Sequence, residues 1–286
     1  MDFVRPTTFA DALAEKAARP QAVPILGGTD LMVGLNRGHH PPPALLDLSA
    51  VEDGGFAGWE RDGDTVRIGA GLTYARLIAE LGADCPALAA AARTVGSPQI
   101  RNRATLAGNL GTASPAGDMH PVLLAIGAVV EAASVRGERD IPVDEFYLGP
   151  KRNALAPDEL IRAIRVPARR GPQQFAKVGT RNAMVIAVCS VAVALDVEAR
   201  TVGTGFGSAA PTPRRSPAAE SLAGELPWAG GPLDESLRRR FGEAVAQAAS
   251  PIDDVRGAAA YRRHALAVLA RRTLTWACQE LTGGAA

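Results

Sequence analysis

Two short segments of this 286-residue chain hold residues whose types and spacing could do chemistry. The first is Pro24-Ile25-Leu26-Gly27-Gly28-Thr29-Asp30-Leu31. The second, ATLAGNLGTASPAGD, runs from Ala104 to Asp118. Paired glycines after an apolar run leave backbone N–H groups open to close approach, because no Cβ stands in front of them. They also permit the positive φ values of an anion-binding nest. Thr105, Asn109, Thr112 and Ser114 add hydroxyl and amide groups beside Gly108 at short spacing. Together the loops suit a ligand that carries phosphate and hydroxyls. Two plain tight turns would explain the same glycines, and the residues alone leave both readings open.

Other chemistry is weakly supported. Neither segment reads G-x-G-x-x-G, which argues against a Rossmann dinucleotide site. Gly203-Thr204-Gly205-Phe206-Gly207 superficially resembles one, but it sits among strands without the strand–loop–helix context. There is no G-x-S-x-G nucleophile elbow. Asp118 and His120 are near neighbours in sequence, which rarely aim at one target, so no catalytic acid or base is expected. Cys85, Cys189 and Cys278 are far apart and cannot hold an iron–sulfur cluster, which usually needs four close thiolates. Cys189 lies in the apolar run VIAVCSVAVAL and reads as a core thiol. His39-His40 precede three prolines and read as a solvated loop, so no metal site is expected.

The elements around the two segments alternate. ADALAEKAA reads as a helix, AVPILGG as a buried strand ending in a glycine turn, and TDLMVGLNRG as a helix that Thr29 or Asp30 could cap. PALLDLS and TVRIGA read as strands, LTYARLIAEL and PALAAAARTV as helices. Residues 96–117 read as a glycine-rich loop, followed by a helix (DMHPVLLAIG) and a strand (AVVEAASVRG), and IPVDEFYLG and ELIRAIRVP close this part. From Gln174 the pattern changes to three antiparallel strands, FAKVGTR, MVIAVCSVAVALDVE and TVGTGFGSAA. Two helices close the chain, the last with a stripe of Tyr261, Leu266, Leu269 and Leu274. The expected organisation is α+β. Residues 1–173 form an N-terminal part of two small α/β subdomains (about 1–57 and 58–173). Residues 174–286 form a C-terminal antiparallel sheet-plus-helix domain.

Composition narrows the function classes. A net charge of +1 and 5% aromatic residues argue against a nucleic-acid surface. No apolar run reaches membrane-spanning length, and MDFVRPTTFADALAEK lacks a secretory pattern, so a cytoplasmic protein without membrane insertion is expected.

These motifs resemble the FAD-binding medium subunit of the molybdenum hydroxylases, the family of xanthine dehydrogenase and carbon monoxide dehydrogenase. Leu26-Gly27-Gly28-Thr29-Asp30-Leu31 is similar to the family's A-G-G-T-D-L. Gln99-Ile100-Arg101-Asn102-Arg103-Ala104-Thr105-Leu106-Ala107-Gly108-Asn109 is similar to its Q-I-R-N-x-A-T-x-G-G-N. Ser114-Pro115-Ala116-Gly117-Asp118 is similar to its S-P-x-x-D. The resemblance continues through Ile141-Pro142-Val143-Asp144-Glu145-Phe146, Asp158 to Ile161, Phe175 to Arg181 and Tyr261-Arg262-Arg263, nearly the whole length.

The resemblance implies a vanillyl-alcohol-oxidase-type FAD-binding fold. It implies that Pro24 to Leu31 and Thr105, Ala107, Gly108 and Asn109 cradle the pyrophosphate. Thr112 and Asp118 would contact the ribityl or ring region, with the backbone of Ile161 and the side chain of Lys177 near the isoalloxazine. Without that implication, Lys177 reads equally as a surface strand lysine, and Asp118 as a helix N-cap. Ala107 stands where the family has glycine, and would be strained only at positive φ.

The resemblance also implies an electron-transfer subunit of a heterotrimer. A small subunit would carry 2Fe-2S clusters, a large one the molybdenum cofactor, and an acceptor such as NAD would take the electrons. A xanthine dehydrogenase-like complex leads. A carbon monoxide dehydrogenase, an N-heterocycle or nicotine-type hydroxylase, and a stand-alone flavin-binding module are the alternatives.

Overall fold

The computed structural model describes residues 1–283. Its N-terminal portion builds a small parallel sheet in the order Asp2–Val4, Ala44–Asp47, Val23–Ile25. The helix Phe9–Ala18 packs on it, capped by Thr8, whose Oγ1 accepts from Asp11 N–H. Lys16 seals its C-terminal end, donating to the carbonyls of Pro20 and Ala22. Strand Val23–Ile25 is only half-buried, less than its apolar sequence suggests, because it is the sheet's edge.

The next portion is an antiparallel sheet in the order Trp59–Asp62, Thr65–Gly69, Leu160–Pro167, Val129–Ser134, Gly137–Pro142. Its alternation sends Val66, Ile68, Ile164 and Val166 into the core. On the other face Arg67 and Arg165 sit opposite each other, and Glu131 bridges both guanidinium groups. Unbridged like charges at that register would repel. Helices Tyr74–Glu80, Pro86–Thr94 and Met119–Ala125 bury their apolar faces with this portion in one hydrophobic core.

A third sheet, Gln173–Val178, Cys189–Asp196, Thr201–Gly207, is antiparallel. Cys189, Val191, Val193 and Leu195 point to a second core shared with helices Glu235–Gln247 and Ala259–Gly283. The alternate residues Ala192 and Ala194 meet the first core. A strand covered on both faces reads as an unbroken apolar run, which explains VCSVAVAL. The strand starts at Cys189, later than the apolar sequence implied, because residues 179–188 leave the sheet as a loop.

The superficial glycine motif has a packing explanation. A Cβ at Gly203 would lie 1.9 Å from the Ala125 carbonyl oxygen, and one at Gly205 2.0 Å from that of Pro121. The glycines let helix Met119–Ala125 lie directly on strand Thr201–Gly207, joining the two cores. Gly205→Ala is therefore expected to cost about 1–3 kcal/mol, the usual range for overpacking. Urea denaturation checks this; an unchanged midpoint would contradict the contact.

On the last helix Leu266, Leu269 and Leu274 are buried, but Tyr261 is 50% exposed. The buried stripe runs back from Leu266 to Arg262, one turn earlier, and Tyr261 falls off it. The Arg262 guanidinium turns inward to the Ser208 carbonyl and the Asp254 carboxylate. Among the described residues, no helix is long and apolar enough to cross a membrane.

Candidate functional site

The first glycine segment leaves strand Val23–Ile25 and enters the short helix Leu31–Asn36. Its two glycines serve different needs. A Cβ at Gly27 would lie 2.1 Å from the Arg103 carbonyl oxygen, so this position lets the loop press against the second segment's backbone. Gly28 has φ +69°, the left-handed region that favours glycine. No hydrogen bond within the described residues engages the backbone N–H groups of Gly27, Gly28, Thr29 or Asp30. Neither Thr29 nor Asp30 caps the helix through its side chain, contrary to the sequence expectation. Asp30 is already helical in backbone conformation and is exposed.

The second segment is not the loop that its glycines suggested. Thr105 is extended and caps a helix, Leu106–Thr112, by accepting from Gly108 N–H at 3.0 Å. Ala113 then ends the helix at φ 47°. Helical periodicity sorts the residues. Leu106, Ala107 and Leu110 point into the core, whereas Gly108, Asn109 and Thr112 line a cleft. Ala107 is thus a helical, buried residue, so the alanine in place of glycine brings no backbone strain.

The cleft has a volume of about 390 Å³. Pro24, Ile25, Leu26, Gly27, Gly28, Thr29, Asp30 and Leu31 form one wall; Thr105, Gly108, Asn109, Thr112 and Asp118 form the other. Ala107, Ile161 and Lys177 are not lining residues. Ile161 is buried in the central strand Leu160–Pro167, and Lys177 lies behind Asp118. Tyr74, Val95, Gly96, Ile100 and Gly117 also line the cleft, as do Met184, Val185 and Ile186 from the C-terminal part. A smaller recess of about 110 Å³ adjoins it, sharing Leu26, Gly27 and Thr105.

The loop carrying Met184 is held by Arg181, which donates to the carbonyls of Ala183 and Met184. Gly117 is required beside the cleft, since a Cβ there would lie 2.4 Å from His120 Nε2. His120 itself is fully buried, with Nδ1 2.9 Å from the Tyr147 hydroxyl. It does not face the cleft as an acid–base partner of Asp118.

The cleft walls carry buried polar atoms with no partner among the described residues: Tyr74 Oη, Asn109 Oδ1 and Asp118 Oδ1. Buried polar groups are nearly always hydrogen-bonded, and leaving one unpaired costs about 1–3 kcal/mol. A concentration of three around one cleft marks a site for a polar ligand. Asp118 Oδ2 is satisfied by Thr94 Oγ1 at 2.9 Å and Lys177 Nζ at 2.5 Å. Burial raises the Asp118 carboxyl above its usual range, and the Lys177 ammonium opposes that shift. Asp118 occupies the N-cap position of helix Met119–Ala125 but makes no capping bond, because its carboxylate is turned to Lys177.

The residue set fits a flavin dinucleotide. Free backbone N–H groups at Gly27 to Asp30, with a left-handed glycine among them, suit a diphosphate. Orphaned acceptors on Asn109 and Asp118 suit hydroxyl or ring N–H donors. Leu26, Val95, Ile100, Met184 and Ile186 offer apolar surface for a planar ring. Asn109→Ala is expected to weaken FAD binding about tenfold while leaving the apo fold intact, since the atom removed has no protein partner. Fluorescence titration and thermal melting read the two effects separately.

Residues 1–169 match the FAD binding domain in molybdopterin dehydrogenase, and residues 174–277 match the CO dehydrogenase flavoprotein C-terminal domain. The chain is 32% identical to the nicotine 6-hydroxylase medium subunit of Paenarthrobacter nicotinovorans, covering 95% of both chains. It is 30% identical to a putative xanthine dehydrogenase FAD-binding subunit of Escherichia coli strain K12, covering 95% of this chain and 94% of that one. Its backbone superposes on a chain of the carbon monoxide dehydrogenase from Hydrogenophaga pseudoflava with TM-score 0.89 and 26% identity, covering 99% and 98% of the two chains. The chain belongs to the FAD-binding medium subunits of the molybdopterin dehydrogenase family, and is an oxidoreductase subunit.

Proposed function

We propose that this chain holds FAD in the cleft between Gly27-Gly28 and Thr105 to Asp118, and relays electrons within a three-subunit molybdenum hydroxylase. The observation that carries the site is the set of unpaired buried atoms on Tyr74, Asn109 and Asp118 around two glycine-shaped walls. Bound FAD supplies a ring that takes up and releases electrons singly or in pairs. The chain's own residues position it. Pro24 to Leu31, Thr105, Gly108 and Asn109 hold the diphosphate, and Thr112 and Asp118 receive the ribityl or ring end. Met184 and Ile186 add apolar surface to the cleft.

Electrons would arrive from 2Fe-2S clusters in a small partner subunit, reduced in turn by a large subunit with the molybdenum cofactor. They would leave to an external acceptor such as NAD. The chain's three cysteines are buried and separate, which suits a reducing cytoplasm and a division of labour in which the clusters belong to another chain. Substrate oxidation would take place on the large subunit. A xanthine-type substrate is the first assignment. A nicotine-type N-heterocycle is the second, favoured by the 32% identity to the nicotine 6-hydroxylase subunit.

Purification of the tagged chain from its own cells tests the assembly. The expected result is a yellow complex holding two further chains, one rich in cysteine and iron, the other holding molybdenum. A solitary chain that takes up FAD but recruits neither partner would contradict the relay and leave a stand-alone flavin module.

A further inference from the structure

A second hollow, of about 350 Å³, lies at the seam between the N-terminal and C-terminal parts. It shares no lining residue with the cleft. Helix Met119–Ala125 starts beside the cleft at Asp118, and its other end, Leu124 to Gly127, forms one wall of the hollow. The third sheet supplies a further wall through Gln173, Ala194 to Asp196 and Thr201 to Gly203. Most of the surface is apolar, from Leu124, Ile126, Pro167, Ala168, Leu195 and Val202. One polar group is buried there. Gln173 is 9% exposed, and its Oε1 has no hydrogen-bond partner among the described residues. An acceptor left in that state costs stability until something donates to it. The charged lining residues are Arg170, Arg215 and Asp196. Arg170 reaches Asp196 only at 3.5 Å and Asp64 only at 3.7 Å, so neither carboxylate holds its guanidinium tightly. Arg215 is paired with Glu220 at 2.8 Å.

We propose that this hollow is a second small-molecule site, for a compact organic acid whose apolar body also carries a hydroxyl or N–H donor. Each part of that ligand answers a feature of the walls. The donor satisfies the Gln173 amide, and a hydroxyl serves best, because it can donate to Oε1 or accept from Nε2. The apolar body covers the aliphatic surface and removes it from water. The carboxylate meets Arg170, whose planar guanidinium suits such an anion. Arg215 contributes less, since Glu220 already neutralises it. The volume lies in the range of small-ligand pockets, about 300–1,000 Å³, and a seam between two domains is a recurrent place for them. The inference goes beyond the flavin reading and does not depend on it, because the two sites have no residue in common.

The test is isothermal titration calorimetry of the full chain with three probes. 4-Hydroxybenzoate carries donor, apolar body and carboxylate; benzoate lacks the donor, and phenol lacks the carboxylate. Wild type is expected to bind one 4-hydroxybenzoate per chain, about tenfold more tightly than benzoate, the loss of one buried hydrogen bond. Phenol is expected to bind about threefold to fivefold more weakly than 4-hydroxybenzoate, as for a half-exposed ion pair. Gln173→Leu should bind the two acids equally and melt no lower than wild type, since the acceptor removed has no partner. Arg170→Gln should weaken both acids about threefold to fivefold and leave phenol unchanged. Saturating FAD should leave the 4-hydroxybenzoate affinity within about twofold, as for separate sites. Absence of saturable binding, wild-type affinity in both variants, or displacement of the probe by FAD would overturn the proposal. If Gln173→Leu fails to fold, Thr201→Trp, at an exposed position of the wall, takes its place. Lost binding there supports the site, and wild-type affinity overturns it. A chain that takes up 4-hydroxybenzoate but not FAD sinks the flavin reading alone.

Discussion

Gly27→Ala is expected to remove tight FAD binding, with a loss of about 100-fold or more in affinity and about 1–3 kcal/mol in stability. The added Cβ would lie 2.1 Å from the Arg103 carbonyl oxygen and 2.5 Å from its carbon, both backbone atoms that cannot swing aside. The two walls of the cleft must therefore part, and the N–H groups of the first loop move away from the second segment. Gly28→Ala acts by another route. Its added Cβ meets only the side chains of Ile25 and Met32, but φ +69° costs an alanine about 1–2 kcal/mol. Titration of both variants with FAD, beside urea denaturation of the apo chains, separates wall spacing from local strain. A Gly27→Ala chain that binds FAD as tightly as wild type would show that the wall contact does not shape the site.

Acid is expected to destabilise the fold through His120. The imidazole is fully buried, and burial lowers it from 6.5 to about 3. The unfolded chain therefore takes up a proton near pH 6.5 that the folded chain refuses until about pH 3. The neutral form stabilises the fold fully above that window, and the contribution is lost as pH falls through it. At 1.36 kcal/mol per unit the whole window is worth about 5 kcal/mol, and about 2 kcal/mol between pH 7.5 and 5. Asp118 has the opposite sign, because its raised carboxyl binds a proton more readily when folded. The comparison with His120→Gln isolates the imidazole, since glutamine keeps an acceptor for the Tyr147 hydroxyl. Urea midpoints should fall with acid more steeply in wild type than in the variant. Parallel slopes would contradict the buried neutral imidazole.

Local patterns in the sequence specify much of the scaffold. Thr8, Thr73, Ser97 and Thr105 cap the helices they precede, and TVRIGA alternates as its half-buried strand requires. The Gly27-Gly28 turn is legible because a left-handed residue and a close backbone contact both demand glycine. Other features depend on partners distant in sequence. Residues 106–112 look like loop because glycines weaken helix propensity, yet Thr105 caps them and Leu106 and Leu110 anchor them in the core. Gly203 and Gly205 have meaning only beside helix Met119–Ala125. Met184, Val185 and Ile186 join the cleft from a loop about 70 residues beyond Thr112, within an apolar run that reads as the start of a strand. Tyr74 likewise reads as an ordinary amphipathic-helix residue, and only its buried, unpartnered hydroxyl at the cleft wall singles it out.

The most direct test of the flavin site is an equilibrium titration of the purified apo chain with FAD, followed by flavin fluorescence. The account predicts saturation at one FAD per chain, binding weakened in Gly27→Ala and Asn109→Ala, and little affinity for riboflavin, which lacks the diphosphate that the Gly27 to Asp30 N–H groups would hold. Failure to bind FAD, or equal binding of FAD and riboflavin, would contradict it.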